Sequence, residues 1–197
     1  MLITYIVLLA FSMSLIPYTI DPYLPAFPAM GEFFGVPNAT IQASFAGVTV
    51  GLAAGHLFSG PLSDAFGRRP LLLISTFGFA VSAIALFFTT EIAVFFALRF
   101  AMGFFAASAE VIARAVVRDL FRGQPMLQML SRIYLIASLS PIIGPIVGAQ
   151  LVGFFEWQGI FLTFGLFGLA LAIASTFFLV ETCLLYTSDA ADEEDSV

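Results

Sequence analysis

The chain has 197 residues, a mean hydropathy of +1.04 and no lysine, and 60% of its residues are hydrophobic whereas only 10% are charged. Soluble domains are about half apolar and about a quarter charged, so this composition excludes an ordinary soluble domain. The formal net charge is −6, but five of the 13 acidic residues lie in the last nine positions, and the charge therefore describes the tail rather than the body.

Residue types that carry catalysis or bind metals are scarce. The chain has one cysteine, Cys183, and one histidine, His56. A disulfide framework or a zinc site needs several such residues, and an intramembrane enzyme needs a Ser/His, paired-Asp or metal constellation. We therefore expect no catalytic residue, metal or cofactor. The chain also lacks the basic patch with interleaved aromatics that holds nucleic acid.

Long apolar runs divide the chain into predicted membrane spans. About 20 residues at a rise of 1.5 Å cross the hydrocarbon core. A secretory signal peptide is the alternative for the first run, but it requires a basic start, and no basic residue precedes Arg68. We predict an all-α membrane domain in residues 1–182, with six spans at about 2–28, 40–60, 70–89, 92–117, 125–154 and 159–181.

The arginines indicate the orientation of these spans. Six of the seven lie at the connections that follow spans two and four, whereas the alternate connections carry Glu32, Glu91 and Glu156 and no basic residue. Basic loops stay on the cytoplasmic side, so we predict that both chain ends are cytoplasmic. The six arginines are Arg68, Arg69, Arg114, Arg118, Arg122 and Arg132.

The sequence pattern changes at Cys183. Residues 183–197 do not continue the sixth span, and they resemble the translated end of a transposon adapter from sequencing libraries. We interpret them as a disordered, non-native appendage on a gene fragment. A genuine acidic cytoplasmic tail is the alternative.

The connection between spans two and three concentrates charges, glycines and prolines. Gly60 and Gly67 predict a tight turn with a positive φ or a close backbone approach. Asp64 with Arg68 and Arg69 can form a charge-assisted network that holds helices in one arrangement and releases them in another. The alternative is that the arginines only set the topology.

Two ionisable residues fall inside predicted spans. Intramembrane charges are costly and usually functional, so we expect Asp21 to face an aqueous cavity. Because Pro22 follows, the alternative is an interfacial carboxylate. Arg99 must be paired or solvated, and a structural pair with Asp21 is one option. Glu110 and Arg114 are spaced to form an i,i+4 pair on one helix face, for which we favour a structural role.

Small residues and prolines predict where helices approach and bend. A small residue recurs every fourth position in span two, which permits close helix packing in lipid; the positions are Gly47, Gly51, Gly55 and Ser59. Span five contains prolines and glycines that are expected to bend it, namely Pro141, Gly144, Pro145 and Gly148.

Taken together, these residues resemble the major facilitator superfamily, and in particular its Bcr/CflA, or bicyclomycin-resistance type, drug exporters. The resemblance covers about residues 19–180 and rests on the loop at 60–69, on Arg99 with Gly103, on residues 144–149, and on residues 20–25 and 113–121. The sequence departs from the family pattern at Met102, Ser140 and Ala149.

The resemblance implies the N-terminal half of a proton-coupled multidrug antiporter in the bacterial inner membrane. Asp21 and Arg99 would couple protons in the central cavity, and Tyr18, Tyr23 and Phe27 would line it. The implied partners are protons, a small amphipathic substrate, membrane lipid and a missing C-terminal half of six helices, without which we expect no transport. A non-transporting helical scaffold or assembly partner is the alternative.

Overall fold

The computed structural model describes residues 2–179, and the predicted tail at 183–197 and the end of the sixth span lie outside them. Within the described residues the chain is helical and contains no strand. The α-helices are α1 Leu2–Met13, α2 Leu15–Ile20, α3 Phe27–Phe34, α4 Asn38–Phe66, α5 Arg68–Phe87, α6 Ile92–Leu120, α7 Gln124–Ala137 and α8 Ser140–Phe178, and a 3₁₀ helix at Asp21–Ala26 joins α2 to α3.

Five helical segments in this part of the chain are long and apolar enough to cross a membrane. The last of them, Gln124–Phe178, is 55 residues long, about 80 Å of helix against a hydrocarbon core of about 30 Å. It is broken at Glu156, whose φ of 59° and ψ of −175° are not helical. Divided there, the segment supplies two crossings. The all-α membrane fold is thus confirmed, with about six crossings.

The first crossing is interrupted rather than continuous. Proline lacks the backbone N–H that a helix interior uses, and Pro17, Pro22, Pro25 and Pro28 follow one another through this region. The chain therefore forms three short helical segments here, namely α2, the 3₁₀ helix and α3. Because α3 continues to Phe34, the connection to α4 is shorter than the one predicted between spans at about 2–28 and 40–60.

The turn between α4 and α5 consists of Gly67 alone. Its φ of 94° and ψ of 152° lie in a region that side chains disfavour, so the predicted positive φ is found here. The same expectation is wrong for Gly60. Gly60 lies inside α4, and an added Cβ would meet no atom within 4 Å. The predicted polar loop is therefore mostly helix.

Helices α4 and α6 touch at the level of their backbones. A Cβ added at Gly51 would lie 2.2 Å from the carbonyl oxygen of Phe100, and one at Gly55 would lie 2.4 Å from that of Phe104. Gly103 on α6 faces the Val48 carbonyl in the same way. The predicted small-residue face of span two therefore meets another helix.

The second arm of α8 packs on α5 and ends near an aromatic cluster. Gly165 and Gly168 let this arm approach Ala80 and Phe79 of α5. Trp157 is 2% exposed. Its indole lies in the core because aromatic rings surround it, namely Phe33, Phe34, Phe95 and Phe161.

We predict that Gly51→Ala destabilises the protein and that Gly60→Ala does not. Both changes replace glycine by the better helix former alanine, which favours the helix by up to about 1 kcal/mol. Only Gly51→Ala places a methyl group against a backbone carbonyl. Overpacking costs about 1–3 kcal/mol. Thermal unfolding of the purified protein in detergent measures the difference. Equal midpoints for the two variants would contradict the close α4–α6 contact.

Candidate functional site

Arg99 lies at the centre of the helix bundle. Its side chain is fully buried, at 0% exposure, because α6 carries it into the contact among α6, the 3₁₀ helix and α8. Nη1 reaches only the Met102 sulfur, at 3.9 Å, and Nε and Nη2 have no hydrogen-bond partner within the described residues. No ion pair in this part of the chain includes Arg99 or Asp21, so the two are not paired in this structure.

Tyr23 supplies the principal contact of the Arg99 guanidinium. The guanidinium carbon lies 4.0 Å from the Tyr23 ring centroid and 5.6 Å from that of Phe161. Such a cation–π contact is worth about 2 kcal/mol or more when it is desolvated. The Tyr23 hydroxyl lies 3.2 Å from Ser44 Oγ on α4. Tyr23 therefore links the 3₁₀ helix to both α4 and α6.

Asp21 lies at the start of the 3₁₀ helix, against the first arm of α8. A Cβ added at Gly144 would lie 3.0 Å from Asp21 Cβ, and one at Gly148 would lie 1.9 Å from the Pro22 carbonyl oxygen. These two glycines, predicted as part of a bend, thus provide the surface on which the interrupted segment rests. The helix interruption itself precedes Pro141, between Ala137 and Ser140. Pro145 lies inside α8.

The predicted cavity-lining aromatics are divided between two environments. Tyr23 is 1% exposed and belongs to the core, with the half-buried Phe27 packed edge-on against it at 4.9 Å between centroids. Tyr18 is half-buried and stacks on Phe164 of α8 at 5.1 Å. Their role in a cavity stays a prediction.

Arg68 forms a charge network at the α4–α5 turn. Its side chain is 7% exposed, and Nη2 lies 2.5 Å from Asp64 Oδ1 on α4. Nε donates to Asp119 Oδ2 at the end of α6, at 3.0 Å, and Nη1 donates to Ser63. One buried guanidinium therefore joins the ends of three helices.

Arg69, which follows Arg68 in the first turn of α5, extends this network to the last helix. Arg69 donates from Nη2 to the Thr176 carbonyl on α8, at 2.8 Å, which connects the turn to the last helix. A cavity of about 430 Å³ lies beside the turn, lined by Gly60, Asp64, Arg68, Val111, Arg114, Ala115, Arg118, Met126 and Leu130.

The predicted pair of Glu110 and Arg114 is present. Arg114 Nη2 lies 3.4 Å from Glu110 Oε2. The same carboxylate oxygen also lies 3.1 Å from His56 Nε2 on α4, which makes the pair a cluster of three.

Sequence reasoning found the charged residues but missed three of their partners. Tyr23 under Arg99, Asp119 beside Arg68 and His56 beside Glu110 are all contacts across helices. The partners are separated by 51 residues for Arg68 and Asp119 and by 54 for His56 and Glu110. No periodicity within one helix indicates such contacts. The only signal was a polar side chain inside an apolar span for Tyr23 and His56, and a charge beside the end of a span for Asp119.

A bundle of membrane-length helices that buries an ionisable side chain such as Arg99 is typical of a polytopic membrane protein, and ionisable residues at membrane depth usually mark functional sites. Residues 2–191 match the Major Facilitator Superfamily. The chain belongs to this superfamily of transporters, and it is therefore a multi-pass membrane protein.

Several relatives of known name are similar to it. A bicyclomycin resistance protein homolog of Haemophilus influenzae is 36% identical over 176 residues, which are 89% of this chain and 44% of that protein. The chloramphenicol resistance protein of Pseudomonas aeruginosa is 34% identical over 82% of this chain and 39% of its own length. The multidrug resistance protein MdtL of Escherichia coli is 30% identical over 85% of this chain and 43% of its own length.

A solved structure shares the fold. The crystal structure of the human organic anion transporter MFSD10 (TETRAN) superposes with a TM-score of 0.60 at 25% identity, covering 91% of this chain and 46% of that one. The chain thus spans somewhat less than half the length of the relatives that it matches.

We predict that Tyr23→Leu destabilises the protein more than Tyr23→Phe. The phenylalanine keeps the ring and loses a hydrogen bond worth about 0.5–1.5 kcal/mol, whereas leucine also removes a cation–π contact of about 2 kcal/mol. Thermal unfolding in detergent compares the two. In an Arg99→Leu background the gap between the variants should narrow. If the difference between the two Tyr23 variants is the same in both backgrounds, the destabilisation by Tyr23→Leu comes from lost packing alone.

At the α4–α5 turn, we predict that Asp119→Asn costs more stability than Asp64→Asn. The Asp64 side chain is 62% exposed and that of Asp119 is 25% exposed. An exposed pair contributes less than about 1 kcal/mol, and loss of the less exposed partner of a buried charge costs more, here about 1–2 kcal/mol. Chemical unfolding at low salt measures both. The reverse ranking would show that Asp64 is the principal partner of Arg68.

Proposed function

We propose that this chain forms the first half of a proton-coupled exporter of small amphipathic drugs. The names of the relatives support the drug class, since they include bicyclomycin, chloramphenicol and multidrug resistance proteins. The observation that carries the proposal is the buried Arg99, two of whose nitrogens find no hydrogen-bond partner in the described chain.

An unpaired buried guanidinium is costly, so a functional reason for it is expected. Asp21 is the intramembrane carboxylate on the 3₁₀ helix that also carries Tyr23. In our proposal, Asp21 takes up a proton in one conformation and releases it in another. Arg99 rests on Tyr23 of the same 3₁₀ helix, and a movement of this helix that brings the guanidinium to Asp21 would favour release, because an adjacent cation stabilises the ionised carboxylate.

The interrupted first crossing provides a means for the conformational change. Its 3₁₀ helix contacts α8 through Pro22 and Gly148 and contacts α6 through Tyr23 and Arg99. A change in the charge of Asp21 therefore acts on a segment that touches two long helices. Helix interruptions of this kind are where transporters place their binding sites.

Transport by the proposed mechanism requires a second half. Transporters of parallel repeats enclose their site between two halves and rock one against the other. We propose that the complete protein carries a C-terminal half of six helices, and that this chain alone does not transport. The network of Asp64, Arg68 and Arg69 would then hold the cytoplasmic ends of the helices in one of the two conformations.

The proposed location is the bacterial inner membrane, with the arginine-bearing α4–α5 and α6–α7 connections in the cytoplasm. The positive-inside rule supports this orientation. The exposed apolar side chains on the outer helix faces, such as Phe77 and Phe177, would contact lipid.

We predict that Asp21→Asn in the full-length protein abolishes proton-driven export and leaves the protein folded. Asparagine keeps the size of the side chain but cannot release a proton at the carboxyl position. Export is measured as resistance of intact cells to bicyclomycin and chloramphenicol, and as substrate movement in proteoliposomes with and without a pH gradient.

Glu32→Gln is the matched control. It removes one negative charge from an exposed residue at the end of the same interrupted crossing and should leave export unchanged. If Asp21→Asn exports with the same dependence on the pH gradient as the wild type, Asp21 has no part in coupling. If the 197-residue chain alone confers resistance, the requirement for a second half is wrong.

A helical scaffold is the competing function. If the chain is a scaffold, co-expression with a separate C-terminal half should give an assembled complex that moves no drug in response to a pH gradient. The proteoliposome measurement therefore distinguishes the two functions.

A further inference from the structure

His56 has contacts that fix where its protons lie. Its Nδ1 is 2.8 Å from the carbonyl oxygen of Leu52, and its Nε2 is 3.1 Å from Glu110 Oε2. A carbonyl oxygen only accepts hydrogen bonds, so Nδ1 must carry a hydrogen. In a neutral imidazole Nε2 is then a bare acceptor.

A neutral His56 cannot bond to an ionised Glu110, because both facing atoms would be acceptors. The 3.1 Å contact therefore requires one further proton, on either the imidazole or the carboxyl group. Arg114 Nη2 lies 3.4 Å from the same Oε2. This cation favours the carboxylate, which places the additional proton on Nε2.

The surroundings contain few competing charges. From α6 the imidazole is faced by Glu110, which also pairs with Arg114. On α4 the closest charged residue in sequence is Asp64, eight residues away or about 12 Å along the axis, and it pairs with Arg68 of α5. On α3, at the other end of α4, the charged residue is Glu32.

The position is held by the neighbouring contacts. Gly55 packs against the Phe104 carbonyl, one residue before His56. One turn further along, Ser59 Oγ donates to Ser108 Oγ at 2.6 Å, and both serines are buried. The two helices are therefore fixed beside the pair. The imidazole side chain is 41% exposed, whereas that of Glu110 is 14% exposed.

We propose that His56 and Glu110 form a proton-binding site between α4 and α6, separate from Asp21, which holds one proton as an imidazolium–carboxylate hydrogen bond. Release of this proton leaves two acceptors facing each other and so removes the bond between the two helices. Only its use in transport depends on the proposed export function; the site itself does not.

Nitrogen-15 NMR of the histidine-labelled chain in lipid nanodiscs tests this directly. His56 is the only histidine of the chain, so a purification tag without histidine leaves one imidazole to observe. At neutral pH we expect both ring nitrogens of the wild type to carry a hydrogen, because each of their two contacts needs one. In Glu110→Gln we expect the Nε2 hydrogen to be lost and the Nδ1 hydrogen to remain.

Arg114→Lys is the control, because it changes the neighbouring side chain but keeps its positive charge and both members of the pair. It should retain the Nε2 hydrogen. The same spectrum for the wild type and Glu110→Gln, or a wild-type ring without a hydrogen on Nε2, would overturn the proposal. If Glu110→Gln does not fold, wild-type spectra with carbon-13-labelled glutamate decide, since they must show Nε2–H in contact with one carboxylate. None of these results depends on whether the protein exports drugs.

Discussion

Backbone contact at glycine is the constraint on which the arrangement of charges depends. Gly51, Gly55 and Gly103 bring α4 and α6 close enough for carbonyls to occupy the space of missing side chains. Gly148 does the same between α8 and Pro22. In lipid, where burial of apolar surface between helices provides little driving force, such close packing holds helices together. The polar groups between the helices are positioned as a result.

Three polar clusters follow from this packing, and each joins different helices. Arg99 lies on Tyr23 near the broken first crossing, His56 meets Glu110 between α4 and α6, and Arg68 joins the helix ends at the α4–α5 turn. They differ in how fully their charges are matched. Arg68 has two carboxylates, whereas Arg99 has an aromatic face and a sulfur. Binding of a proton or an ionic group should change the energy of the cluster with unmatched charge, that of Arg99, more than the energy of the others.

Met102 illustrates how one departure from a family pattern affects a site. The resemblance to the family implies a polar residue at this position, whereas Met102 offers Arg99 only a thioether at 3.9 Å. A thioether is a weak acceptor. Arg99 therefore depends on Tyr23 for its stabilisation more than it would if residue 102 were polar. The aromatic side chain of the 3₁₀ helix is thus part of the charged site.

The sequence by itself determined the helical class, the approximate number of crossings, the small-residue face of α4 and the family, because hydrophobic length, charge placement and local spacing are properties of single segments. It also determined the identity of the charged residues. Only the tertiary structure decided their partners: Tyr23 rather than Asp21 for Arg99, Asp119 in addition to Asp64 for Arg68, and His56 for Glu110. These contacts join residues on different helices, and their geometry depends on how closely glycines allow the backbones to approach. A one-dimensional pattern contains no such information.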